Sequence, residues 1–195
     1  MDIITEFCKE QSSAFYYGNN RKRKSILLQI QDDIDYNLGL YKSFKTLGIT
    51  EEQHKKIDTE LAPLFVVPLL FCSAIDIMAR VKIKDSCPKQ NGKVFKESAK
   101  EFFGFNRSEA EAMWKFRNSI THQYTIRGFI ISRVGDQKVI DVNSDRTVIA
   151  VRPMRSFLAN AINNLSDSLR SESKEDKIKT NTFLEKYGFT YYLVY

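Results

Sequence analysis

Met113-Trp114-Lys115-Phe116-Arg117-Asn118-Ser119-Ile120-Thr121-His122-Gln123-Tyr124 is the stretch whose spacing decides the fold. Met113, Phe116 and Ile120 recur at intervals of three and four, which lines them along one stripe of a helix and gives that helix a face to bury. The remaining surface is polar. Asn118 and His122, four apart, stand one turn from each other, while Arg117 and Tyr124 share the adjoining strip. A cation, an amide, an imidazole and a phenol thus fall on one helix, and the imidazole is one of only two in 195 residues.

Working outward, Ser108-Glu109-Ala110-Glu111 has the form of a capping box and predicts that this helix starts at Ser108; it should fail near Arg127-Gly128. Val94 to Phe103 reads as a basic helix, preceded by a loop over 85–93 that holds Pro88, Asn91 and Gly92. Leu61 to Ile75 is the most apolar run, broken by Pro63 and Pro68. It is shorter than the roughly 18 uninterrupted apolar residues that a bilayer span needs, so a buried central helix is expected. Asp76 follows it directly, an acid inside Ala74-Ile75-Asp76-Ile77-Met78-Ala79. Burying an unpaired carboxylate is costly, so Asp76 either faces solvent or meets a donor from another helix, for which Arg117 is the candidate.

Nearer the N-terminus, residues 2–17 read as a short helix and Gly18-Asn19-Asn20 as a loop, with Arg21-Lys22-Arg23-Lys24 as exposed cations at a loop-to-helix junction. Ser25 to Leu47 steps by three and four through Leu27, Ile30, Ile34, Leu38, Tyr41 and Phe44, a long amphipathic helix closed by Gly48. Thr50-Glu51-Glu52-Gln53 is a capping-box pattern opening a short helix through Glu60, on which His54 is an exposed residue with no second ligand spaced to use it.

After Gly128 the period changes. Phe129 to Val134, Lys138 to Val142 and Thr147 to Val151 are rich in β-branched residues and separated by Gly135-Asp136 and Asn143-Ser144-Asp145, which predicts a small antiparallel β-meander between helices. Pro153 then opens a helix through Leu169. Residues 171–179 are charged, and Phe183 to Tyr195 ends in aromatics suited to a strand joining the small sheet. The chain reads as a single mainly α domain over 1–195, with 128–151 as the inserted meander and 171–195 as a C-terminal extension.

Composition narrows the function classes. Cys8, Cys72 and Cys87 are odd in number and lack a Cys-x-x-Cys spacing, so neither a disulfide framework nor a zinc site is signalled, and a reducing cytoplasm is expected. The first residues lack a long apolar segment, which argues against a signal peptide. The net charge is +6 but uneven: residues 80–107 hold eight Lys/Arg against three Asp/Glu, and residues 115–155 again eight against three. Each run taken alone is a solvated surface; together, around Arg117 and His122, they suggest a polyanion site. No paired-carboxylate metal site, Gly-rich phosphate loop or Ser-His-Asp set is present.

Arg117-Asn118-Ser119-Ile120-Thr121-His122, with Tyr124 two places on, resembles the Arg-polar-x-x-x-His motif of the HEPN superfamily. The resemblance covers about twenty residues closely and the flanking helices by architecture. It implies a HEPN-like helical bundle, to which the β-meander is an addition, and a metal-independent endoribonuclease without cofactor. Toxin or antiviral effector roles, RNA as substrate, a homodimer with two facing motifs and a nucleotidyltransferase-type antitoxin are all implied by it. In such toxins the position of Tyr124 receives AMP. Several HEPN groups also carry an acid beside the motif, the place Asp76 would take as an orienting residue.

The residue types suit that chemistry. RNA supplies its own nucleophile in the 2′-hydroxyl, so the protein needs a base, an acid and a cation. An imidazole titrates near pH 6.5 and serves as either base or acid, which makes His122 the candidate. Arg117 would hold phosphate oxygens through its planar fork of donors, with Asn118 donating to phosphate or orienting His122. In an open cleft, replacing Arg117 or His122 would cost only about 0.5 kcal/mol of stability. Two other readings stay open: a HEPN-like module that binds RNA or a protein without cutting, and a purely structural helix in which Arg117 pairs with an acid.

Overall fold

Pro68 lies inside a helix that it does not break. In the computed structural model, which describes residues 3–8, 15–17, 21–46, 66–123, 128–132, 137–143 and 146–193, α3 runs over Val66–Ile83. Pro68 is its third residue, in the first turn, where backbone N–H groups have no intrahelical acceptor to lose. Phe71, Ala74, Ile75 and Met78 on this helix are wholly buried. Each large side chain so buried contributes roughly 1.5–3 kcal/mol.

Around α3 are α1 (Ile3–Cys8), α2 (Ile26–Thr46), α4 (Asn91–Phe103), α5 (Arg107–Gln123), α6 (Met154–Arg170) and α7 (Lys174–Tyr187). Of these, α2, α4, α5, α6 and α7 all touch α3, which makes it the central helix that the apolar run predicts. The fold is mainly α with a small β insertion. Gly104, in the left-handed conformation at φ +69°, ends α4; its N–H and that of Phe105 both donate to the Ala99 carbonyl. This turn brings α5 back along α4.

The insertion consists of β3 (Phe129–Ser132), β4 (Ile140–Val142) and β5 (Thr147–Ala150). It is not a plain antiparallel meander. The strand order is β3-β5-β4, with β4 antiparallel to β5 but β3 parallel to it, Phe129 opposite Thr147 and Ser132 opposite Ala150. The central place falls to β5, whose Ile149 and Ala150 are buried, while the β3 residues are only partly buried or exposed. Phe129 packs edge-on to Phe116 of α5, the ring centroids being 5.2 Å apart, so the insertion is anchored to the motif helix.

A second sheet overturns the reading of both chain ends. Of residues 2–17, those described are a helix over Ile3–Cys8 and a strand, β1, over Phe15–Tyr17, where a helix is expected. Arg21-Lys22-Arg23-Lys24, whose charge predicts an exposed junction, and Ser25, the predicted start of the long helix, together form β2, which lies between β1 and β6 (Phe189–Leu193). The C-terminal strand therefore joins this sheet and not the inserted one. Strand-favouring aromatics in β1 and β6 flank β2 on both sides, a context that local charge does not encode.

The charged stretch after Ser171 contains the start of α7, which Ser173 caps by accepting from the Asp176 N–H. Thr180, Phe183 and Leu184 of α7 are buried, the last two in the main core. Lys84, at positive φ (+56°) just after α3, pairs with Glu172 at 2.7 Å, and the Thr180 hydroxyl donates to the other Glu172 oxygen at 2.6 Å. That network ties the end of α3 to α7. Gly48, the helix expected after Thr50, His54 and Pro63 lie outside the described residues.

Candidate functional site

The cap of the motif helix lies two residues before the predicted one. Asn106, not Ser108, is its N-cap: Asn106 Oδ1 accepts from the Glu109 N–H at 2.9 Å, and Glu109 Oε2 accepts from the Asn106 N–H at 2.8 Å. This is a reciprocal capping box, with the amide oxygen in the role assigned to the serine hydroxyl. The Ser108 hydroxyl donates instead to Asn106 Oδ1 at 2.7 Å. Met113 and Phe116 are then wholly buried and Ile120 packs partly buried against the core, as the apolar stripe requires.

The contact between α3 and α5 fixes what stands beside Arg117. The Cys72 thiol donates to Met113 Sδ at 3.6 Å, and Arg117 meets Asp76, each pair separated by 41 residues. A constant offset one turn further on means that the two helices run in the same direction here. Asp76 thus meets a cation from another helix.

Arg117 is held on three sides. Its Nε and Nη2 both lie 3.2 Å from Asp76 Oδ2, and Nη1 donates to Asn118 Oδ1 at 3.1 Å. The guanidinium carbon lies 5.3 Å from the Trp114 ring centroid. Trp114 is in turn packed on Phe95 at 5.3 Å and against Gly92, where an added Cβ would come within 2.9 Å of the indole. Trp114 and Gly92 belong to the arrangement but carry no role in the sequence reading. The available signal is that Trp114 precedes Arg117 by three residues, a spacing at which helix side chains meet.

Asp76 and Arg117 are about one-fifth exposed, at 21% and 20%. Burial pushes the Asp76 carboxyl above its ordinary value, while the charge and hydrogen bonds of Arg117, and the charge of Arg80, pull it back. The upward direction means that burying the carboxylate outweighs what its partners return. Cys72, one turn earlier and fully buried, is pushed far up as well, chiefly by burial and then by Asp76. It is therefore a neutral thiol, not a nucleophile.

This geometry corrects one expectation. Arg117 does not line an open cleft at no structural cost; it joins α3 to α5, so its removal strands a largely buried carboxylate. Thr121 donates its hydroxyl to the Arg117 carbonyl at 2.8 Å, a bond back along the helix. His122 lies on α5, four residues beyond Asn118. Tyr124 lies outside the described residues.

Among the described residues, no group of three His, Cys, Asp or Glu is placed to hold a metal ion, and no helix is long and apolar enough to cross a membrane. Chemically, the arrangement offers an immobilised guanidinium and an amide on the helix that carries the only motif imidazole. Comparison of the chain with protein-family models, with curated proteins and with solved structures found no match.

Proposed function

We propose that the protein is a metal-independent HEPN-like endoribonuclease that cleaves RNA through its own 2′-hydroxyl. The observation that carries this reading is the immobilised Arg117, fixed by Asp76, Asn118 and Trp114 on the helix that bears His122 one turn past Asn118. A preorganised planar cation is what a phosphorane needs, since charge develops on its oxygens as the 2′-oxygen attacks phosphorus and the bond to the 5′-oxygen breaks. One histidine takes the 2′-hydroxyl proton and a second gives a proton to the leaving 5′-oxygen. The products are a 2′,3′-cyclic phosphate and a 5′-hydroxyl. The motif holds one histidine per chain, so two protomers would share a cleft. Toxin or antiviral action, an antitoxin of nucleotidyltransferase type and AMP transfer to Tyr124 belong to the same proposal.

The ion pair itself favours a second reading. A guanidinium already met by a carboxylate brings little net charge to a phosphate, which suits a module that grips RNA without cutting it.

Cleavage of RNA in EDTA separates the two. The expected result is cleavage that survives EDTA, with His122→Ala lowering the rate on the order of 10²–10⁴-fold while RNA affinity persists. Arg117→Lys keeps the charge but loses the fork, and should lower the rate with a smaller loss of stability than Arg117→Ala. Pure protein that binds RNA and never cuts it would replace the first reading by the second.

A further inference from the structure

The outer face of the α4–α5 hairpin carries a line of cations outside the Arg117 cluster. Lys96 Nζ pairs with Glu111 Oε2 at 2.8 Å, and Gly92 packs on Trp114, which together fix α4 and α5 as antiparallel neighbours. Lys100 therefore stands near Arg107 by the turn, and Lys93 near Lys115 at the other end. Along α5, residues 107, 111, 115, 118 and 122 step by four, four, three and four, so Arg107, Glu111 and Lys115 occupy the same strip of the helix backbone as Asn118 and His122.

The line is open and has little to offset it. Lys93, Lys100, Arg107 and Lys115 are exposed and make no ion pair among the described residues. The acids nearest in register are Glu97 and Glu111, and Glu111 is already engaged. Its carboxyl is held below the ordinary range by the hydrogen bond from Lys96, helped by the charges of Lys96, Lys115 and Arg107, which places these cations around it. None of the large exposed hydrophobic side chains lies on α4 or α5. A protein-docking surface needs buried aromatic or aliphatic anchors, and a lipid-binding helix needs an apolar face. This strip has neither, and its free cations recur about once every two helical turns on each helix.

We infer that the α4–α5 strip is a track for the phosphate backbone of a single RNA strand, leading it along α5 toward Asn118 and His122. The inference rests on the ribonuclease reading and extends it to the path of the substrate. From Arg107 to His122 the strip covers about 22 Å at roughly 1.5 Å per residue. That length accommodates about six phosphates of a stacked strand, at roughly 3.4 Å each, and fewer of an extended one.

The test is the salt dependence of binding to a fluorescein-labelled, unstructured 20-nucleotide RNA, measured in EDTA on the His122→Ala background so that the probe stays whole. Four cations each meeting one phosphate give a slope of log affinity against log salt of about −2.8, from roughly −0.7 per contact. Affinity should then fall about 50-fold between 50 and 200 mM KCl. Adding Lys100→Gln and Arg107→Gln should halve the slope to about −1.4 and reduce that fall to about sevenfold. Lys93→Gln with Lys115→Gln, at the other end of the strip, should do the same and guards against misfolding of either pair. Unchanged slopes in both pairs, with RNA still bound, overturn the track and leave the ribonuclease reading standing, because wild-type cleavage reports on that separately. If wild type neither binds nor cleaves RNA, both fall.

Discussion

Replacing Arg117 by Leu should destabilise the protein by an amount that depends strongly on pH. Breaking a buried ion pair by removing one partner costs about 3–5 kcal/mol, and an exposed pair is worth about 0–1 kcal/mol. At one-fifth exposure on both sides, the Asp76–Arg117 pair falls between these limits, at about 2 kcal/mol. Loss of the stack on Trp114 adds about 0.5–1 kcal/mol at any pH. The sign of the pH dependence follows from Asp76. Its folded value is raised above the unfolded one of about 3.9, so its contribution to stability is full below that value and is lost as pH rises through the folded value. Without Arg117 the folded value rises further, and the loss extends over a wider window. The variant should thus lie about 3 kcal/mol below wild type at pH 7.5 and by a smaller margin at pH 4, because without Arg117 the buried carboxyl takes up its proton at a higher pH. At about 2–4 °C per kcal/mol for a chain of this size, the neutral-pH difference is roughly 6–12 °C in Tm. Asp76→Asn alone should stay within about 1 kcal/mol of wild type, since it removes the burial penalty along with the attraction. Adding it to Arg117→Leu should restore about half of the loss. Urea unfolding of the four proteins at both pH values gives the cycle. An equal deficit at pH 4 and 7.5, or a double variant no more stable than Arg117→Leu, refutes the account.

Two further substitutions probe the support of the site. Gly92→Ala should displace the indole it would strike at 2.9 Å, destabilise by about 1–3 kcal/mol and shift the emission of Trp114, which is the only tryptophan in the chain; unchanged emission and Tm would show that the contact relaxes freely. Asn106→Ala should lower stability by about 1 kcal/mol through loss of the cap, and Ser108→Ala by less than about 0.5 kcal/mol. Thermal unfolding that ranks these two the other way would return the cap to Ser108.

Legibility followed the range of the interactions. The apolar stripe of Met113, Phe116 and Ile120, the central apolar run and the change of period after Gly128 are local patterns, and each led to the element observed. Asp76 stands out in sequence because a carboxylate among Ala74, Ile75, Ile77 and Met78 either faces solvent or meets a partner, and the packing of α5 on α3 decides between the two. The cap shifted from Ser108 to Asn106 because both residues stand before a suitably placed glutamate, and only the backbone geometry decides between them. The parallel pairing of β3 with β5 depends on which strand buries both its neighbours' faces, a tertiary choice. The roles of Trp114 and Gly92 are not legible in sequence for a related reason: what gives the indole its role is a backbone from α4 with no side chain, and absence of a side chain at residue 92 reads in sequence as an ordinary loop glycine.

The β2–β6 pairing sets a clock on synthesis. Ser25 lies opposite Phe189, 164 residues later, so the sheet cannot close until almost the whole described chain has emerged. At about 5–20 residues per second, one edge of β2 waits on the order of ten to thirty seconds without its partner. An unpaired strand edge recruits other chains, and natural proteins blunt such edges with lysine and other charges. Arg21-Lys22-Arg23-Lys24, an odd composition for a strand that ends up between two others, is of the kind by which such edges are blunted.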